Sequence, residues 1–265
     1  MKNAIAIWNY TWDAGELPAA IHEFADHGFD AISFHPRQFA GSLAQHLPAV
    51  VEVLRVRGLA ATVHGSCVAD RESLVSAVTA MRDHLYAVTL DSAMREDSRG
   101  RLHDAGRIAE SLAFLQSLTA GTAIWLAIED FPLDALALKH FATDLGRVYD
   151  HPRTGILIDV GHMNLRMKNS NYFSGLSVGE YFRALPCRLV EVHLHDNNGE
   201  KDQHGHFGFG NVPLAEVARS LKAIAFDGVC TIEIAPGFHG STPPESKGKA
   251  VQSLELWRQW IHARQ

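Results

Sequence analysis

Cysteine is scarce in this chain: Cys67, Cys187 and Cys230 are the only three, widely spaced and without a C-x-x-C pair. An odd, scattered set of this kind builds no disulfide framework and predicts a reducing, cytoplasmic setting. Long apolar runs are missing as well; none approaches the ~20 residues a membrane helix needs. The opening stretch Met1-Lys2-Asn3-Ala4-Ile5-Ala6-Ile7-Trp8 soon meets Asp13, which predicts a first β-strand rather than a signal peptide. Positive charge is not in excess: 24 Lys and Arg against 30 Asp and Glu leave a net charge of −6, without bulk electrostatic support for gripping nucleic acid. Low-complexity segments and linkers are lacking, and so is the Gly-rich phosphate turn that marks many doubly wound nucleotide-binding sheets. The hydrophobic share of 46% and charged share of 20% describe a globular chain and exclude a disordered one. Histidine is abundant: 16 copies in 265 residues, more than the 13 phenylalanines. That excess directs attention to metal ligands.

Short aliphatic and β-branched runs recur at Ala4–Trp8, Ala31–His35, Ala61–His64, Ala87–Asp91, Trp125–Glu129, Gly155–Asp159, Leu189–His195 and Val229–Ile234. Amphipathic stretches separate them: Leu17–His27, Leu43–Arg57, Arg71–Leu85, His103–Leu118, Leu133–Tyr149, Leu214–Ala225 and Pro244–Ile261. Gly28, Gly58 and Gly146 stand where helices would stop. The connection from about Asn164 to Leu185 is the least regular, with a short helix around Val178–Ala184. Eight β/α units in this length predict one α/β domain over 1–265, a closed (β/α)8 TIM barrel. Such a barrel places its chemistry at the C-terminal ends of the strands and in the loops that follow.

The strand ends are polar in six consecutive units. The third run ends at His64, the fourth at Asp91, the fifth at Glu129 and the sixth at Asp159. The seventh carries His193 and His195 on one face, and the eighth carries Glu233. A carboxylate aimed into an apolar barrel is costly unless paired or bound to a cation. Six such groups converging on one end therefore predict a divalent metal. The segment after the seventh strand adds Asp202 and His204, two residues apart, with His162 as their natural third partner. Gly208 and Gly210 let that loop turn tightly beside a ligand.

The residues Asp159-Val-Gly-His162, His193-Leu-His-Asp196, Asp202-Gln-His204 with Gly208-Phe-Gly210-Asn211, and Glu129 and Glu233 on the fifth and eighth strands together resemble the xylose isomerase-like barrel superfamily. That superfamily includes sugar isomerases and epimerases and the endonuclease IV type of DNA-repair enzyme. The resemblance implies that Glu129, Asp159, His193 and Glu233 form the shared metal-binding quartet. It implies that His162, Asp202 and His204 match the trio holding an additional metal in endonuclease IV, and that His64 matches a histidine of the remaining metal position. Asp91 stands where the other histidine of that position would be; aspartate also ligates zinc or manganese, with different charge and affinity. One to three zinc or manganese ions are thus implied.

Two mechanisms follow from the resemblance. In an isomerase or epimerase, the metal polarises the carbonyl of a keto sugar or related polyol, while Glu129 and Glu233 exchange a proton at carbon and His162 holds a hydroxyl. In an endonuclease IV-like phosphodiesterase, clustered metals generate hydroxide and stabilise a phosphodiester displacement. The acidic chain and the short connection Asp130-Phe131-Pro132 favour the sugar enzyme over a DNA-bending one; Arg37-Gln38-Phe39 is the one feature pointing the other way. A silent sugar-binding barrel, the third reading, would not need a pair of glutamates. Trp8, Trp12, Phe39 and Phe238 are candidates for stacking on a sugar face. A small sugar or polyol is the expected partner, with neither nucleic acid nor membrane.

Overall fold

The computed structural model describes residues 1–66, 71–97, 100–129, 151–169, 175–183, 185, 187–238 and 242–263. The expected helix Leu133–Tyr149, the connection Asp130-Phe131-Pro132, Cys67 and the side chain of Phe238 lie outside the described part.

Eight parallel strands close on themselves in the order β1 (Lys2–Ala6), β2 (Ala31–Phe34), β3 (Ala60–Ser66), β4 (Leu85–Asp91), β7 (Trp125–Glu129), β8 (Thr154–Asp159), β9 (Leu189–Leu194) and β10 (Val229–Ile232), with β10 returning to β1. The closing register sets Ala4 against Ala31 on one side and Thr231 on the other. Alternation along each strand divides the core. Outward residues such as Ile32, Val63, Val88, Ile128, Ile158, Val192 and Ile232 join the helices' Leu54, Leu74, Leu112, Leu221 and Trp257 in one buried cluster. Burying each such side chain contributes about 1.5–3 kcal/mol. The small residues Ala4, Ala31, Ala87 and Ala127 belong to two minor clusters with Val229, Leu157 and Val190. Above them comes a polar layer, in which the Thr62 hydroxyl lies 2.7 Å from Ser33 Oγ and 3.1 Å from Glu191 Oε1. The metal-ligand types come next, at the C-terminal rim.

The α/β barrel is thus as the alternation predicts, with local differences that have physical causes. The first strand stops at Ala6, and Ile7–Asn9 wind into a 3-10 turn. His35 leaves the second strand to cap Pro36–Phe39, its Nδ1 accepting from Arg37 N while Gln38 reciprocates. Proline sets the start of the next helix, which runs Leu47–Arg57 after a 3-10 segment Gly41–His46 and ends at Gly58 with φ +64°. The helix from Arg71 ends at Met81, because Leu85 already belongs to β4. Residues Met94–Asp97 (β5) and Gly100–His103 (β6) pair as an antiparallel hairpin, so the following helix begins at Ala105 behind an Asp104 cap. The final helix, Pro243–His262, opens on a Thr242/Glu245 capping box. Among the described residues no helix is long and apolar enough to cross a membrane.

The sixth connection differs most from expectation. The expected short helix is present as Val178–Arg183, but ahead of it a helix Val160–Asn169 starts directly at the end of β8. Asp159 causes this: its Oδ1 accepts from the His162 amide at 2.9 Å, the hydrogen bond of an N-cap. His162, expected just past the sixth strand, is therefore in the helix's first turn.

Candidate metal centre

Strand register brings the acid and imidazole groups into one ring. Asp159 stands opposite His193 across β8 and β9, His193 opposite Thr231 across β9 and β10, and Glu129 beside Leu157 across β7 and β8. Glu233 follows β10 by one residue and is tied to β9 through its amide, which donates to Leu194 O at 3.0 Å. His64, Glu129, Asp159, His162, His193 and Glu233 are all buried.

Their ligand atoms form compact triads within 4.8 Å: His64 with Glu129 and His193, Glu129 with Asp159 and His162, and Asp159 with His193 and Glu233. A fourth triad joins His195, Asp202 and His204. The expected quartet members each belong to at least one of the first three groups. His162 sits between systems: its Nδ1 is 3.4 Å from Glu129 and its Nε2 3.1 Å from Asp202. His195 rather than His162 completes the compact group around Asp202 and His204. The His195 ring stacks on His204 with centroids 4.1 Å apart, and its Nε2 lies 2.9 Å from Asp159 Oδ1. Asp91 belongs to none of the triads; it holds His64 Nε2 at 3.0 Å and accepts from Ser66.

The electrostatics are those of a buried, mutually paired cluster of acids and imidazoles. Burial disfavours the charge of every carboxyl here. At Asp159 and Asp202 the facing imidazoles outweigh that penalty and hold the groups well below the usual carboxylate range, and at Glu233 they hold the carboxyl at about 2. Glu129 goes the other way: burial, reinforced by the charge of Asp91, pushes it well above its ordinary value. Burial likewise disfavours charged imidazoles, yet Glu233 and Glu191 raise His193 well above the usual value, and Glu233 and Asp202 raise His204 to about 10. Protons on these rings balance a buried excess of negative charge.

Both ring nitrogens of His193 and Oε2 of Glu233 are buried without a hydrogen-bond partner. His193 Nδ1 and Glu233 Oε2 stand 2.8 Å apart out of hydrogen-bonding geometry, within one of the ligand triads. Each orphaned buried group costs about 1–3 kcal/mol, and a divalent ion relieves several at once. Imidazole nitrogens mixed with carboxylate oxygens suit zinc or manganese.

One residue not singled out in the sequence, and three that were, complete the surroundings. Glu191, fully buried, lies one layer beneath His193. Trp8 is buried, its ring stacked on His64 at 5.9 Å, whereas Trp12 is 50% exposed and meets His35 edge-on at 5.4 Å. Phe39 is no part of the mouth: it is buried against Phe34, 5.7 Å between centroids.

The model of the xylose isomerase-like TIM barrel family matches residues 21–260. This chain belongs to the xylose isomerase-like TIM barrel family. It is 31% identical over 87 residues, 33% of its length, to fructoselysine 3-epimerase of Escherichia coli O157:H7. The curated relatives are matched at 26 to 36% identity over only 27 to 30% of their own lengths. D-psicose 3-epimerase from Clostridium cellulolyticum H10 shares the fold at TM-score 0.71 and 14% identity, over 99% of this chain and 100% of that one. Endonuclease IV from Thermus thermophilus shares it at TM-score 0.59 and 17% identity, over 98% and 99%.

In this xylose isomerase-like barrel the loop after β9 is built on Asp196. Its Oδ1 accepts from the amides of Asn197 and Val212, and its Oδ2 from those of Gly208 and Gly210, all at 2.9–3.0 Å. Gly210 is required there, since a Cβ would stand 2.0 Å from Asn197 O. Within this frame His204 adopts φ +45°, a left-handed conformation costly for a side chain with a Cβ. Asp196→Ala should strand several buried amides and cost about 3 kcal/mol or more. Denaturant midpoints should fall accordingly. Unchanged stability would show that water replaces the carboxylate.

Proposed function

We propose that this chain is a divalent-metal-dependent isomerase or epimerase acting on a small keto sugar or related polyol. The observation that carries the reading is the placement of Glu129 and Glu233. They end strands on either side of the β8–β9 pair that presents Asp159 and His193, and their proton affinities are displaced in opposite directions. Two carboxyls so arranged suit removal of a proton from one face of a carbon and delivery to the other. A zinc or manganese ion held by Glu129, Asp159, His193 and Glu233 would supply polarisation of the neighbouring carbonyl.

One glutamate takes the proton from the carbon beside the carbonyl, whose oxygen takes up the electron pair to give an enediolate, and the other glutamate delivers a proton to the opposite face of that carbon. Return to the neighbouring carbon would instead give isomerisation. His162, within reach of Glu129 and Asp202, is placed to hold a substrate hydroxyl. Trp8 and Trp12 offer apolar surface beside His64 and His35 for a sugar face. The similarity to fructoselysine 3-epimerase supports a substrate of this class.

The His195/Asp202/His204 triad favours a second reading, a phosphodiesterase with more than one ion. The net charge of −6 opposes it when the substrate is DNA. The purified protein, loaded with manganese or zinc, should incorporate deuterium from D2O at a single carbon of a keto hexose. Incision of abasic DNA that scales with metal loading, without sugar exchange, would replace this reading by the phosphodiesterase. Sugar binding with neither reaction would leave a binding barrel.

A further inference from the structure

We propose that Glu191 is a positioning residue: it accepts a hydrogen bond from the Nε2–H of His193 and thereby fixes Nδ1 as the nitrogen offered to the metal. The proposal rests on the metal-centre reading above.

Glu191 precedes His193 by two residues on β9, so both side chains point to the inside of the barrel. The register sets it between Leu157 of β8 and Val229 of β10, and it is fully buried. A carboxylate in such a place needs acceptor duty on every side. Oε1 accepts from the hydroxyls of Thr62 and Thr231, while Oε2 has no hydrogen-bond partner. Among the described residues, the basic group within ion-pair reach of Glu191 is His193, whose Nε2 is 3.7 Å from Oε1.

The His193 ring has two different edges. Nδ1 faces Glu233 at 2.8 Å, on the side where the ligand types gather. Nε2 faces down the barrel toward Glu191. Between these edges the ring is flanked by His64, edge-to-face at 4.9 Å, and by Trp8 at 6.4 Å. An imidazole that gives its Nδ1 lone pair to a cation carries its proton on Nε2. That N–H then needs an acceptor in a site closed to water, and Glu191 is placed to be one. The separation of 3.7 Å exceeds a hydrogen bond, and a small ring or carboxylate rotation closes it. Oε1, the oxygen nearest Nε2, is held by both threonine hydroxyls, and the unpartnered Oε2 of the same carboxylate has its lone pairs free for the imidazole. A carboxylate behind a ligating histidine fixes its tautomer and makes it a stronger ligand.

The test uses the full chain, stripped by chelation and titrated with zinc in competition with a chromophoric chelator. Glu191→Met, which keeps the volume and removes the acceptors, should weaken zinc binding by about 10–100-fold. Glu191→Gln, whose amide oxygen still accepts from Nε2–H, should recover part of the loss. A purely space-filling role predicts no such rescue and no change in affinity. Nitrogen-15 NMR of the zinc-loaded wild type should show His193 protonated at Nε2 with zinc on Nδ1, a result independent of how any variant folds. Zinc on Nε2, or a folded Glu191→Met that binds zinc like wild type, would overturn the proposal and leave the metal centre intact. A wild type that takes up no zinc or manganese would remove the metal-centre reading itself, and this inference with it.

Discussion

Glu233→Gln and Glu129→Gln are each expected to reduce turnover of a keto sugar by about 10²–10⁴-fold, the usual contribution of a placed acid or base. Glutamine keeps the shape and one acceptor oxygen but can neither take nor deliver the proton. The two variants should fail differently. If each glutamate serves one face of the carbon, then losing one leaves solvent exchange from one epimer and abolishes it from the other, while net epimerisation stops in both. Deuterium incorporation into each epimer, followed separately by NMR, reads this directly. Metal content must be measured on the same samples, because both residues also belong to the ligand triads. Equal, undiminished exchange in both variants would remove the glutamates from the chemistry.

The barrel was legible because each strand is a short apolar run, and every run but the sixth was followed by a long stretch of helical periodicity. The rim was legible for a related reason: an Asp, Glu or His ending an apolar run breaks the hydrophobic pattern at a place where burial makes it costly. What the pattern could not convey is a residue with two jobs. Asp159 reads as a strand end and a ligand type, yet it also caps Val160–Asn169, and this sets His162 in the first turn of that helix. The β5–β6 hairpin, Met94-Arg95-Glu96-Asp97 against Gly100-Arg101-Leu102-His103, lacks alternation of apolar residues and so gave no strand signal. His195 and Glu191 share a face with His193 in any strand reading, but which partner each meets depends on closure of the barrel. His195 turns out to touch both Asp159 and the Asp202/His204 group. Gly161 permits this, since a Cβ there would lie 2.0 Å from the His195 ring.

Metal removal should have its largest effect at alkaline pH. In the metal-free protein, protons on His193 and His204 balance the carboxylates around them, and both rings are raised above the ordinary imidazole value, His204 to about 10. A raised folded-state value means that this stabilisation is complete below the unfolded value of about 6.5 and is lost as pH rises toward about 10. Glu233, held at about 2, stays ionised throughout this window and keeps its need for a positive partner. A divalent ion takes over the role of the protons, so uptake releases them and affinity climbs with pH, by about tenfold per unit for each proton displaced. At a free-metal concentration of 100 times Kd the ion adds about 2.7 kcal/mol, which for a chain of this size corresponds to a rise in Tm of about 5–10 °C. The rise should be smaller at pH 6 and larger at pH 9, because the metal-free form weakens while the loaded form does not. Scanning calorimetry at matched, chelator-buffered manganese measures this. A metal-induced rise that shrinks as pH increases would mean that the cluster's charge is balanced by some other group and that His193 and His204 do not receive the ion.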